Sequence, residues 1–157
     1  MGYLVTVILL LHPTLACIVL GWMWVQYGWK RKSRELKGED RKQQLERHER
    51  MGERLLQLAI LTVLLAFAAN MISAKINGED VLKSLIPGSL HGWTGPVGVT
   101  LLWIMARWGK QARNKRLENE SFHVVKTKHG RAADLLIACM FMHAFLGFLY
   151  LFTVLSF

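Results

Sequence analysis

The sequence predicts an all-α membrane protein, an up-down-up-down bundle of four transmembrane helices built from two related helical hairpins. Three observations carry this reading. Long apolar runs alternate with basic segments. Mean hydropathy is positive at +0.24 although 20 Lys/Arg face 11 Asp/Glu, a net charge of +9. Histidines also recur at matching places in the two halves of the 157-residue chain.

A helix rises about 1.5 Å per residue and needs about 20 mostly apolar residues to cross the hydrocarbon core. Four segments meet that requirement, so a single four-helix domain is expected with spans at residues 3–29, 55–73, 87–108 and 132–157. The third needs argument, because Thr94-Gly95-Pro96 resembles a helix opening. A helix from Gly95 to Trp108 would reach only about 21 Å, so Pro87 is taken as the start and Pro96 as an internal proline. Residues 41–54 alternate charge sign at helical spacing and run unbroken into the second span, which is expected to project from the membrane. Residues 118–128 read as a connecting loop that contains His123.

Segregated charge argues against a soluble basic domain and against nucleic acid as a partner. Cys17 and Cys139 lie in apolar runs without a CxxC pattern, which removes a disulfide framework, a zinc ribbon and covalent haem c. Residues 30–54 carry ten Lys/Arg and residues 107–131 carry eight, while between the second and third spans only Lys75 and Lys83 stand against Glu79 and Asp80. By the positive-inside rule both basic loops are cytoplasmic and both termini lie on the opposite side. Trp22, Trp24, Trp29, Trp103 and Trp108 collect toward the cytoplasmic ends, as an interfacial belt does.

Ionisable residues in a membrane span are costly and point to function. His12 lies in the first span, His91 in the third and His143 in the fourth, with His48 and His129 at the cytoplasmic ends of the second and fourth. His12 precedes His48 by a basic loop just as His91 precedes His129, which suggests two related hairpins. Counted from the helix ends, His12 and His91 are level on the far side, and His48 and His129 are level at the cytoplasmic side. In a four-helix bundle each pair faces across a diagonal, making two stacked bis-imidazole sites.

Two axial imidazoles suit haem iron used for electron transfer, because no open position is left for oxygen chemistry. Gly52 and Gly95 follow His48 and His91 at i+4 and would clear space for a macrocycle, as Gly147 would beside His143. Arg47, Arg50, Lys128 and Arg131 could pair with haem propionates. His143 also shares a face with His129, so the far-side site is completed by His12 with His91, favoured here, or by His143 with one of them. Alternative readings stand beside these. His48 and His129 equally fit solvated surface residues, the glycines fit helix packing, Asp134 pairs with Arg131, and Gln57 and Asn70 bond between helices.

His12-Pro13, Arg47-His48…Gly52, His91…Gly95 and the His129 region together resemble a family of four-helix membrane proteins of cyanobacteria and plastids, itself similar to b-type cytochromes and to the haem-binding membrane part of ferric reductases. The likeness runs from about Leu11 to Leu155 and rests on single histidines and glycines. It implies His12, His48, His91 and His129 as metal ligands, haem b as the cofactor and a thylakoid or plasma membrane, while the two levels of paired histidines predict two haems per chain. His143 departs from the simple pattern. The expected function is a b-type cytochrome-like carrier of electrons within or across the membrane. Without a GxGxxG motif or a flavin domain it is not a complete oxidoreductase, so a quinone or an acidic soluble carrier such as ferredoxin is the expected partner. The competing expectation is an accessory or assembly subunit of a larger photosynthetic membrane complex, with chlorophyll in place of haem.

Overall fold

The structure is a computed structural model that describes the backbone of residues 3–155 and the side chains of residues 10–152. Among these residues it is all-helical: α1 (Tyr3–Tyr27), a short α2 (Trp29–Glu35), α3 (Gly38–Asn77), a 3-10 turn at Lys83–Leu85, α4 (Leu90–Leu117) and α5 (His123–Leu155). Three stretches are long and apolar enough to cross a membrane, Leu10–Glu35, Gly38–Asn77 and His123–Phe152. The segment α4 is not one of them, because the uncharged stretch from Leu90 to Ala106 is diluted by His91, Thr94, Pro96 and three glycines before its basic half begins at Arg107. The far end of the expected fourth span, at Phe157, lies outside the described residues.

The alternating charges of residues 41–54 do continue into the apolar run, and α3 is one helix of 40 residues. Gly78 ends it in the left-handed region at φ 71°, where its N–H and that of Glu79 turn back to the Ala74 and Lys75 carbonyls. Two sequence-based boundaries need correction. Helix α4 starts at Leu90 instead of Pro87, because the Ser89 side chain accepts from the Gly92 N–H at 3.1 Å and fixes the first turn there. Pro96 does lie inside the helix. The expected loop over 118–128 shrinks to residues 118–122, where Asn119 at φ 58° reverses the chain, and His123 becomes the first residue of α5.

Helix α1 packs against α3 and α5, and α4 packs against α5 and α3. Cross-helix neighbours appear in opposite sequence order. His12 meets Thr62 while Gln26 meets His48, and His91 meets His143 while Met105 meets His129. The buried core is one apolar layer to which all four long helices contribute: Val19 and Met23, Leu55 and Ala59, Leu102, and Leu136. Val19, Leu55 and Leu136 each lie seven residues beyond a histidine, on the same helical face, so the layer sits inward of His12, His48 and His129. Most remaining large apolar side chains, including Leu64, Phe145 and Phe148, point outward, as lipid-facing residues do.

The projecting part of α3 is tied to the basic half of α4. Glu49, only 16% exposed, takes Arg116 at 3.1 Å and Arg113 at 3.4 Å. Asp134 does not pair with Arg131. It accepts from Lys30 at 2.6 and 2.7 Å and from Tyr27 at 2.8 Å, because the last residue of α1 and the first turn of α2 both reach α5 and bring two donors to one carboxylate. Gln57 and Asn70 are exposed and bond to no other helix among the described residues, whereas Gln26, not singled out from sequence, donates to the His48 carbonyl at 2.9 Å.

Candidate functional site: two levels of paired histidines

Five of the six histidines converge on the bundle interior at two levels. At one level the His12 and His91 rings lie 5.9 Å apart between centroids, with their planes at 69°. At the other, His48 and His129 lie 6.2 Å apart at 89°. The first pair bridges α1 and α4 and the second bridges α3 and α5, helices that are not packing neighbours. His123 is exposed and joins neither level.

The two levels are fourteen residues apart on every helix. His12 and Gln26, His48 and Thr62, His91 and Met105, and His129 and His143 mark the same two heights, about 21 Å apart along an ideal helix. Fourteen residues are close to four helical turns, so both members of each set project from nearly one face. The apolar core layer lies between the levels and separates two polar sites with close-packed hydrocarbon.

Backbone carbonyls fix how the imidazoles point. His12 Nδ1 lies 3.3 Å from the Thr62 carbonyl oxygen, His91 Nδ1 3.1 Å from that of His143, and His129 Nδ1 3.0 Å from that of Met105. A carbonyl can only accept, so Nδ1 carries the proton in all three and Nε2 keeps a bare lone pair. His143 follows the same logic through a hydroxyl. Thr94 Oγ1 donates to the His91 carbonyl at 3.0 Å and therefore accepts from His143 Nδ1 at 2.8 Å. Metal-ligating histidines are held in just this way, with the second ring nitrogen donating to a backbone or side-chain oxygen.

His48 differs. Its ring stacks on Trp29 at 5.6 Å and 23°, and its Nδ1 is buried without a partner, as is the Trp22 indole N–H. Buried polar atoms are normally satisfied, so the His48 Nδ1 marks a place where a bound group could complete the site, whereas the Trp22 indole lies against the apolar core. The environment of His48 is not that of a solvated surface residue.

His143 lies with His12 and His91, one ring nitrogen of each being within 4.8 Å of the others. Its ring stacks on His91 at 4.1 Å and 20°. Two rings stacked face to face cannot be trans ligands of one metal, so the geometry favours His91 facing His12 over His91 facing His143.

Glycines make this packing possible. A Cβ on Gly147 would come within 2.6 Å of the His91 ring, one on Gly109 within 3.2 Å of His129, and one on Gly95 within 3.5 Å of His143. Gly52 is notched for the Gln26 amide, at 3.3 Å. These glycines let imidazoles and an amide of one helix lie on the backbone of the next. Gly109 escaped sequence reasoning because its partner His129 is on another helix. Arg131 is exposed and forms no ion pair among the described residues, which leaves its charge available at the level of His129. Comparison with protein-family models, curated proteins and solved structures found no match to this chain.

Proposed function

We propose that the protein is a b-type cytochrome-like electron carrier of the membrane, an up-down-up-down bundle of two related hairpins in which α4 supplies the fourth span. One haem would be held by His48 and His129, and a second by His12 and His91. The observation that carries this reading is the facing of histidines across both diagonals with Nδ1 committed to an oxygen in three of the four. First-row metals bind imidazole nitrogen at about 2.0 Å, so two histidines that would hold one metal between them would have ring centroids about 6 Å apart. The centroid separations of 5.9 and 6.2 Å support this reading. Chlorophyll magnesium, with a single protein ligand, would leave half of each pair without a role.

Haem held by two histidines supplies one-electron redox chemistry with no open coordination position. This chain's residues would bind and orient it. The Thr62, His143 and Met105 carbonyls hold three ligands in the required tautomer, and Trp29 braces the fourth. Arg131 and its basic neighbours would face the propionates of the cytoplasmic-side group. Electrons would come from or go to a quinone in the bilayer or an acidic soluble carrier at the basic face. By the resemblance the membrane would be a thylakoid or plasma membrane, and by the positive-inside rule both basic regions would be cytoplasmic.

The test is a reduced-minus-oxidised absorbance spectrum of the purified chain expressed with ample haem. A b-type band with two haems per chain is expected. Bound chlorophyll without haem would instead favour an accessory subunit of a photosynthetic complex.

A further inference from the structure

The basic half of α4 carries an open groove of about 860 Å³ that the histidine sites do not use. Its lining changes along the helix in one direction. Trp103 and Ile104 come first, Arg107 and Lys110 next with Trp108 between them, then Gln111 and Asn114, and the Lys115–Glu120 pair with Glu118 closes the far end. The positions from Trp103 to Asn114 fall at spacings of three and four and form one stripe. The order runs from apolar, through two cations flanking a second tryptophan, to neutral hydrogen-bonding side chains, before the self-paired charged end.

The cations in the stripe are not spent on acids. Arg107 lies over the Trp103 ring at 5.0 Å and has no carboxylate partner among the described residues, nor has Lys110. The other nearby charges are engaged elsewhere: Arg113 and Arg116 with Glu49, and Lys115 with Glu120, whose hydrogen bond raises the Lys115 pKa. Glu118 and Glu120 line only the end farthest from Trp103.

We propose that this groove is a binding site for an anionic phospholipid with a hydroxyl-bearing head group. The acyl chains would lie on Trp103 and Ile104, the phosphate would meet Arg107 and Lys110, and the head-group hydroxyls would reach the Gln111 and Asn114 amides. About 10 Å separates position 103 from position 110 along the helix, a distance over which a lipid passes from chain to head group. A soluble phosphate satisfies the middle of the stripe only. An acidic protein leaves the aromatic end without a purpose. The proposal rests on α4 crossing the membrane, as proposed above.

The full chain in nanodiscs of mixed phosphatidylcholine and phosphatidylglycerol tests this by native mass spectrometry of retained lipid. Two interfacial cations predict a roughly thirtyfold preference for phosphatidylglycerol. The Arg107→Gln/Lys110→Gln double variant should lose most of that preference, while Arg31→Gln/Lys32→Gln, equal in charge change and exposed on α2, should keep it. Equal loss in both variants would reduce the effect to a diffuse field and overturn the site. Displacement of the lipid by inorganic phosphate, or by an acidic protein such as ferredoxin, would overturn the choice of lipid. Brominated acyl chains separate the two premises, with quenching of wild type compared with Trp103→Phe. A Trp103 that is not quenched overturns the placement of α4 in the membrane, whereas quenching without head-group preference overturns the groove alone.

Discussion

The Nδ1 of His91 donates to the carbonyl oxygen of His143 at 3.1 Å across the α4–α5 hairpin. The α1–α3 hairpin repeats this with His12 and the Thr62 carbonyl at 3.3 Å. Thr62 lies fourteen residues beyond His48, and His143 fourteen beyond His129, so the two occupy equivalent positions. The backbone oxygen is what the equivalent positions share, and the side chains differ. On this account His143 contributes its carbonyl to holding His91, and its imidazole is secondary.

His143→Thr therefore gives the second hairpin the residue found in the first and should leave the haem content unchanged. His91→Ala should remove the far-side haem. Haem quantification of both variants decides between a positioning and a ligating role, and loss of one haem in His143→Thr would make His143 the ligand.

Gly147→Ala places a methyl group 2.6 Å from the His91 ring, in the packed interior of the hairpin. A destabilisation of about 1–3 kcal/mol is expected from such overpacking, together with a weakened far-side haem. Gly21→Ala, with nothing within 4 Å of its new methyl, should be neutral or slightly stabilising. Denaturation in detergent with the haem absorbance as a second readout compares them.

Glu49→Gln should lower stability by about 1–2 kcal/mol, since a mostly buried carboxylate loses two arginines. Asp134→Asn, across a pair about half exposed, should cost less than about 1 kcal/mol. Similar values for the two would mean that burial does not set the strength of these contacts.

Local pattern revealed most of the architecture and less of the site. The apolar runs, the internal Pro96 and the helical charge alternation of residues 41–54 were readable because each signal is contained within one segment. The matching heights of His12 with His91 and of His48 with His129 were readable for the same reason, since helical rise converts sequence position into depth. What escaped depends on which residue of another helix lies alongside. Asp134 meets Lys30, Gly109 meets His129 and Thr94 meets His143 across long sequence separations, and no spacing along one helix encodes those pairings. The start of α4 escaped because a serine cap outweighed the proline two residues before it.

The central claim is that each histidine pair holds its own haem. Haem per chain, measured in wild type and in His48→Ala, tests it most directly. Two haems falling to one, with the remaining spectrum still b-type, is the expected result. One haem in wild type that disappears in His48→Ala, or two haems lost together in a chain that stays folded, would contradict it.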